Sequence, residues 1–315
     1  MTLGEPASRL LSMKQPFLRF ALAASLVLLA APAFSQAIVP AAKTVSSIPL
    51  LALEGRTIGG LTLSTPLFDD HPLAVAELLG GKSQALLTGS TLGVKNSQSG
   101  GPLIQVATPV WDVAGLVTLD PALKTLADFA GKSLVVPLAG GPLDLQLQAL
   151  LKAGGLVGKV KVDYAEPAQA VALLLQKRAD GACLPEPLVS RVVVANHGTE
   201  VFTFAQAWAA LNHGDGRAPQ VSLLARRDWA AAHSGFLKAL VAALRESVAA
   251  VKADPHGYAV RFAPVLGLPP AIVERGLANT LFDVPTPVET QALFGSYLAL
   301  VGETKPVAAG FYFQE

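Results

Sequence analysis

From Val45 onward the chain alternates short apolar runs with stretches of helical period, the pattern of an α/β protein with a largely parallel sheet. The pattern predicts strands at residues 61–63, 84–87, 104–107, 116–118, 134–136, 160–164, 182–184 and 221–224. Beyond these the strands stop, and the pattern is helical to the end. Residues 235–253 place Phe236, Leu237, Leu240, Val241, Leu244, Val248 and Val251 on one face, a stripe that needs a sheet or helix to cover it. Asp254-Pro255 ends that helix, because proline cannot continue the hydrogen-bond ladder.

One helix start is well marked. Gly140-Gly141-Pro142-Leu143-Asp144 leads into residues 145–152, and Gly154 follows. Proline near the first position, an acid in the first turn and glycine past the end are start and stop signals. With strand 134–136 before it, the unit is strand, glycine-rich turn, helix, and its free backbone N–H groups face whatever lies above the strand end. A weak repeat also runs through the chain. Ala74-Val75-Ala76-Glu77-Leu78-Leu79 matches Ala170-Val171-Ala172-Leu173-Leu174-Leu175 except at one position. Lys82 meets Arg178 and Gln84 meets Asp180 at the same offset, and both copies lead into a short strand. Either alanine and leucine coincide by chance in two helices, or the chain holds two similar lobes whose strand-end loops enclose a ligand.

Composition sharpens this picture. The 315 residues carry 24 Lys+Arg against 23 Asp+Glu, with 51% apolar and 15% charged positions, so an intrinsically disordered chain is excluded. A net charge of +1 without a basic stretch gives no footprint for nucleic acid. The length suits about two domains. The longest apolar run is 20–33, preceded by Lys14 and Arg19. It is shorter than the roughly 18–20 residues a spanning helix needs and reads as a secretory signal within 1–37. Ala31-Pro32-Ala33 and Ser35-Gln36-Ala37 both offer small-x-small cleavage sites, and an uncleaved N-terminal anchor is the competing reading. The single cysteine, Cys183, excludes an intrachain disulfide and a cysteine metal cluster, and no cysteine follows the run to carry lipid.

Catalytic signatures fail on inspection. Gly81-Lys82-Ser83 and Gly131-Lys132-Ser133 end like a phosphate-binding loop, but Ala76 and Leu126 stand where its first glycine belongs. Gly89-Ser90-Thr91-Leu92-Gly93 has its serine one place early for a nucleophile elbow. The histidines lack metal spacing, His213 with Asp215 reads as a solvated loop, and Cys183 reads as a small core residue. What remains is polar groups on strand-end loops: Ser64 and Thr65, then Thr88, Ser90 and Thr91, with Trp111 as an aromatic wall or a core residue. Glu186 either reaches a cleft or starts the next helix. Asp144 supports its helix dipole, and in a cleft its charge would oppose an anion.

Residues 126–133 (LADFAGKS), the strand after them and Gly140-Gly141-Pro142-Leu143-Asp144 resemble the second-lobe entry of ABC-transporter substrate-binding proteins of the nitrate/taurine/alkanesulfonate type, which includes binders of thiamine-precursor pyrimidines. Residues 170–187, ending Pro185-Glu186-Pro187, Arg226-Arg227-Asp228-Trp229 and Gly310-Phe311-Tyr312-Phe313 are similar to later segments of that group. The resemblance implies a two-lobe periplasmic-binding-protein (type II-like) α/β fold joined by two crossing strands. It divides the chain into lobe 1 (38–118 plus 222–315) and lobe 2 (119–221). It also implies a periplasmic, monomeric solute-binding protein that closes by a hinge on a small ligand and serves a membrane ABC permease with its ATPase, without cofactor or metal. Carried over residue by residue, the cleft holds Ser64, Thr65, Thr88, Ser90, Thr91, Trp111, Gly140, Gly141 and Glu186. Residues 44–56 are too short for the usual first strand and long first helix, and no cleft arginine clamps an anion. This favours a neutral or heterocyclic ligand stacked on Trp111. The alternatives are an enzyme on the same scaffold, desulfinase-like or pyrimidine-synthesis-like, and an exported adaptor that has lost its small-ligand site.

Overall fold

A computed structural model describes residues 36–314, so the predicted export run at 20–33 lies outside the described residues. The chain opens with strands β1 (Gln36–Ile38) and β2 (Ala41–Ala42), a 3-10 turn (Val45–Ser47) and the short helix α1 (Ile48–Leu51). Strands β3 (Thr57–Ile58), β4 (Leu61–Ser64) and β5 (Leu67–Phe68) follow, then α2 (His71–Leu79), β6 (Ala85–Gly89), α3 (Ser90–Gln98) and β7 (Leu103–Asp112). The first strand is therefore present, upstream of the 44–56 segment in which it was expected. Its sequence, Gln-Ala-Ile-Val-Pro-Ala-Ala, is short and broken by Pro40, and it overlaps a cleavage signal, so alternation cannot reveal it.

The chain then builds a second sheet. It comprises β8 (Ala114–Thr118), β9 (Ser133–Val136), α4 (Pro142–Ala153), β10 (Lys161–Tyr164), α5 (Pro167–Leu175), β11 (Gly181–Pro185), α6 (Leu188–Asn196), β12 (Thr199–Thr203) and α7 (Phe204–Leu211). It returns through β13 (Val221–Arg226), α8 (Arg227–Ala232), α9 (Ser234–Ala253), α10 (Pro255–Leu266), α11 (Pro270–Asn279), β14 (Leu281–Phe282) and α12 (Pro287–Leu300). The predicted stripe of α9 is buried at all seven positions. Asp254 caps the helix that follows by accepting from Gly257 N at 2.8 Å.

The two main sheets share one plan. The six-stranded sheet runs β14-β7-β13-β6-β2-β5 and the five-stranded sheet β10-β9-β11-β8-β12. In each, one antiparallel strand enters beside the third strand of the parallel set, β13 beside β6 and β8 beside β11. The two copies of the sequence repeat are α2 before β6 and α5 before β11, so they occupy equivalent places in the two sheets. β1, β4 and β3 form a small third sheet.

Two boundaries differ from expectation. β8 pairs with β11 and β12, so the first crossing falls at Val113, and residues 114–118 belong to the second sheet rather than lobe 1. The run from 103 to 118 is buried at every position, so no in-out alternation marks where one sheet hands over to the other. Strands also do not stop at 224, since β14 adds two residues antiparallel to β7. Such a pair is below what alternation detects.

The lobe-1 core is a large cluster between the six-stranded sheet and α9–α11. Lobe 2 packs a cluster on each face of its sheet. Helix α12 bridges them: Phe294 meets Trp111 of β7 edge-on at 6.0 Å, and Tyr297 meets Trp208 of α7 at 5.6 Å.

Candidate functional site

The strand-end loops of the two sheets meet where β7 hands over to β8, and helix starts surround the meeting place. A helix start leaves backbone N–H groups unpaired and favours an acceptor or anion there. Around this interface the chain fills most starts with its own carboxylates. Asp70 caps α2, accepting from Leu73 N at 2.9 Å. Asp144, buried in the first turn of α4, accepts from Gly140 N at 2.7 Å and from the Tyr164 hydroxyl at 3.0 Å. Glu186 accepts from both Ser190 N and Ser190 Oγ at 3.0 Å and so closes α6. α3 is different: it begins at Gly89 with no side-chain cap and no acid in its first turn.

A cavity of about 100 Å³ lies along α3. Its walls include Ser90, Thr91, Val94 and Lys95 of α3, Leu145 of α4, Pro219 of the returning crossing, Phe294, Tyr297 and Leu298 of α12, and the acidic Glu303 just after it. Thus one wall comes from lobe 2 and the rest from lobe 1 and the crossing. Lys95 also spans the interface, donating to the Gly140 carbonyl at 3.0 Å. That carbonyl is presented by a turn whose Gly140 sits at φ +71°, a conformation that favours glycine. The Tyr297 hydroxyl is buried with no hydrogen-bond partner among the described residues, and burial pushes its phenol up. A buried unpaired hydroxyl costs free energy unless something meets it. Behind the cavity, Gln220 of the crossing donates to Gln146 Oε1 of α4.

The predicted residues divide into two sets. Ser90 and Thr91 line the cavity, and Gly140 meets it through Lys95. Ser90 is fixed by its N–H on the Gln220 carbonyl at 3.0 Å and by a hydroxyl chain through Ser222 to Thr108, each step 2.8 Å. Gly141 donates to the Leu138 carbonyl and shapes the turn beside it. Thr88 sits one step deeper, with its hydroxyl 2.7 Å from His71 Nε2.

The others lie elsewhere. Ser64 ends β4, and from there the chain passes Pro66 into β5 of the six-stranded sheet. Thr65 is buried and bonded to Glu54 through both its N–H and its hydroxyl. Trp111 is fully buried, with its indole N–H on the Asp283 carbonyl at 3.2 Å and its ring in a T-shaped contact with Phe294. Stacking on Trp111 is therefore not offered by this arrangement. Truncating it would cost about 3–5 kcal/mol of core packing. Glu186 is 2% exposed; it closes its helix start and accepts from Asn279 of α11 at 2.9 Å. Burial holds its carboxyl above the usual range.

Sequence reasoning missed Lys95, Leu145 and Tyr297. Lys95 offers a point charge rather than the fork of an arginine, and α12 mixes polar Thr290 into its buried face while exposing Val288, so its pattern marks no clear stripe. Among the described residues no set of three His, Cys, Asp or Glu side chains is placed to hold a metal, and no helix is long and apolar enough to cross a membrane.

Two sheets of one plan, exchanging a strand and meeting at their strand ends, define a two-lobe periplasmic-binding-protein fold. The chain belongs to the NMT1-like family, whose model matches residues 69–261. Solved structures agree on the fold. The periplasmic aliphatic sulphonate binding protein SsuA from Escherichia coli superposes with a TM-score of 0.73 at 20% identity, covering 89% of this chain and 92% of that one. The alkanesulfonate-binding protein SsuA from Xanthomonas axonopodis pv. citri bound to MOPS gives 0.69 at 22% identity, covering 89% and 99%. The periplasmic nitrate-binding protein NrtA from Synechocystis PCC 6803 gives 0.60 at 17% identity, covering 80% and 74%. No curated protein sequence matches the chain.

Proposed function

We propose that this protein is an exported, periplasmic solute-binding protein of an ABC import system. It captures a small organic ligand between its lobes by hinge closure and presents it to a membrane permease with its ATPase. The observation that carries this reading is the cavity with walls from both lobes, beside the uncapped start of α3. A ligand touching both lobes is gripped fully only when they are together, so binding shifts the population toward the closed form.

The polar end of the ligand belongs at α3, where Ser90, Thr91 and the Lys95 ammonium converge. Its apolar body belongs against Leu145, Phe294 and Leu298. At about 100 Å³ the space is somewhat smaller than the roughly 150 Å³ that holds benzene in an engineered cavity. The relatives of known structure include binders of aliphatic sulphonates and of nitrate, and those compounds head the set to test. Gly140, Gly141 and Thr88 shape the surroundings of this site; Ser64, Thr65 and Trp111 support it from within lobe 1.

Thermal-shift measurement against alkanesulfonates, nitrate, pyrimidines and flavins tests the proposal. At least one compound should raise Tm and be recovered unchanged by mass spectrometry. Turnover of that compound, or no shift across the whole set, contradicts it.

A further inference from the structure

We propose that helix α11 is a latch which holds the lobes together in the absence of ligand, with Glu186 and Glu200 of lobe 2 as its catches. This rests on the hinge-closure reading above and adds to it a ligand-independent hold on the closed form.

The contacts are side chains reaching across the lobe boundary. Arg275 of α11 donates to Glu200 Oε2 of β12 at 2.5 Å. Among the described residues that carboxylate is the only ion-pair partner of Arg275, and its Nε is buried without a partner. Asn279, one helical turn on, donates to Glu186 Oε1 at 2.9 Å and approaches both Glu200 oxygens at 3.2 and 3.3 Å. Thr44, at the start of lobe 1, donates its hydroxyl to the Glu186 carbonyl at 3.1 Å.

Glycines let the parts come this close. A Cβ at Gly115 of β8 would lie 2.7 Å from Glu200 Oε1, so the carboxylate reaches α11 across a position that a side chain would fill. A Cβ at Gly276 of α11 would lie 3.2 Å from Val45 and 3.5 Å from Glu186 Oε2.

None of these bonds belongs to a strand ladder or to a helix's own backbone, so they part without unfolding an element. The Arg275 and Glu200 side chains are 34% and 14% exposed, and water competes for the pair. Such a contact biases an equilibrium without locking it. A ligand that binds the closed form then meets it partly populated, and its apparent affinity scales with that fraction.

The experiment is a distance measurement between nitroxide labels at Gln176→Cys in lobe 2 and Lys238→Cys in lobe 1, both exposed, by pulsed electron resonance without ligand. Cys183 is fully buried and stays unlabelled. The parent should give one main distance. Arg275→Glu, which faces Glu200 with like charge, should add a second population, and the swap Arg275→Glu with Glu200→Arg should restore the first. Gly276→Trp, a wedge under α11, should open the lobes whatever the latch does. If the wedge moves the distance and Arg275→Glu does not, the latch is overturned and hinge closure stands. If Arg275→Glu shifts it and the swap fails to reverse the shift, the effect lies in α11 itself and the latch is again overturned. If the wedge is silent too, the lobes do not part and both readings fall.

Discussion

Asp112 stands at the end of β7, where the chain leaves one lobe for the other, and it is fully buried. Its Oδ1 accepts from Val113 N and Ala114 N at 2.8 and 3.1 Å, and its Oδ2 from Ala205 N at 2.6 Å. One carboxylate thus ties the outgoing crossing to the start of α7 on the return. Burial pushes its pKa up to about 7 against the pull of those N–H groups, and the nearby Glu200 adds to the rise. The unfolded chain releases this proton near pH 4 and the folded chain near 7. Between those values the folded state holds more protons, so the contribution of Asp112 to stability falls as pH rises and levels off above about 7. The slope is at most about 1.4 kcal/mol per pH unit. Glu186, also raised, acts in the same direction. Asp128, Asp180, Asp215 and Asp228 are lowered and lose their stabilisation only as pH falls below about 4. Urea unfolding should therefore show the protein more stable at about pH 5 than at about pH 7.5. Asp112→Asn, which carries no titrating proton, should flatten that difference. A parent that gains stability over the same window would contradict this reading of the crossing.

At the scale of elements, the strand that periodicity could not see leads to a prediction about export. β1 begins at Gln36, pairs residue for residue with Thr62, Leu63 and Ser64, and buries Ala37 completely. Cleavage after Ala37 would remove two of the three residues of β1. Cleavage after Ala33 would keep them. The mature protein secreted from a bacterial host should begin at Phe34 by N-terminal sequencing or intact mass, and a start at Ile38 would contradict the claim that β1 belongs to the working fold. What the sequence made legible follows the same logic. α9 and α4 announced themselves because a stripe or a marked start survives local reading, and the Ala74–Leu79 and Ala170–Leu175 match pointed to two lobes of one plan. The handover at Val113 did not, since strands buried on both faces carry no alternation. Ser64 does end β4, but Glu54, which accepts from Thr65, approaches from a segment that no strand pattern marks. Ser90 and Thr91 open α3 directly after an evident strand, whereas Leu145 and Tyr297 approach from elements far away in the chain.

For the whole molecule, the arrangement of charge at the interface separates what holds the lobes from what is left for a ligand. Asp144 and Glu186 occupy the starts of α4 and α6, α11 binds Glu186 and Glu200, and the open start of α3 faces the cavity. Leu145 is the residue that lobe 2 contributes to that cavity. It is half-buried in the first turn of α4, where arginine is a good helix former. Leu145→Arg would fill the space from the lobe-2 side with little cost to either core. The most direct measurement is isothermal titration calorimetry of a compound that raises Tm, into the parent and into Leu145→Arg. Ligand capture between the lobes predicts a single site in the parent and at least a tenfold loss of affinity, about 1.4 kcal/mol, in a variant with an unchanged circular dichroism spectrum. Equal affinity in the two proteins would place the ligand elsewhere and contradict the two-lobe site.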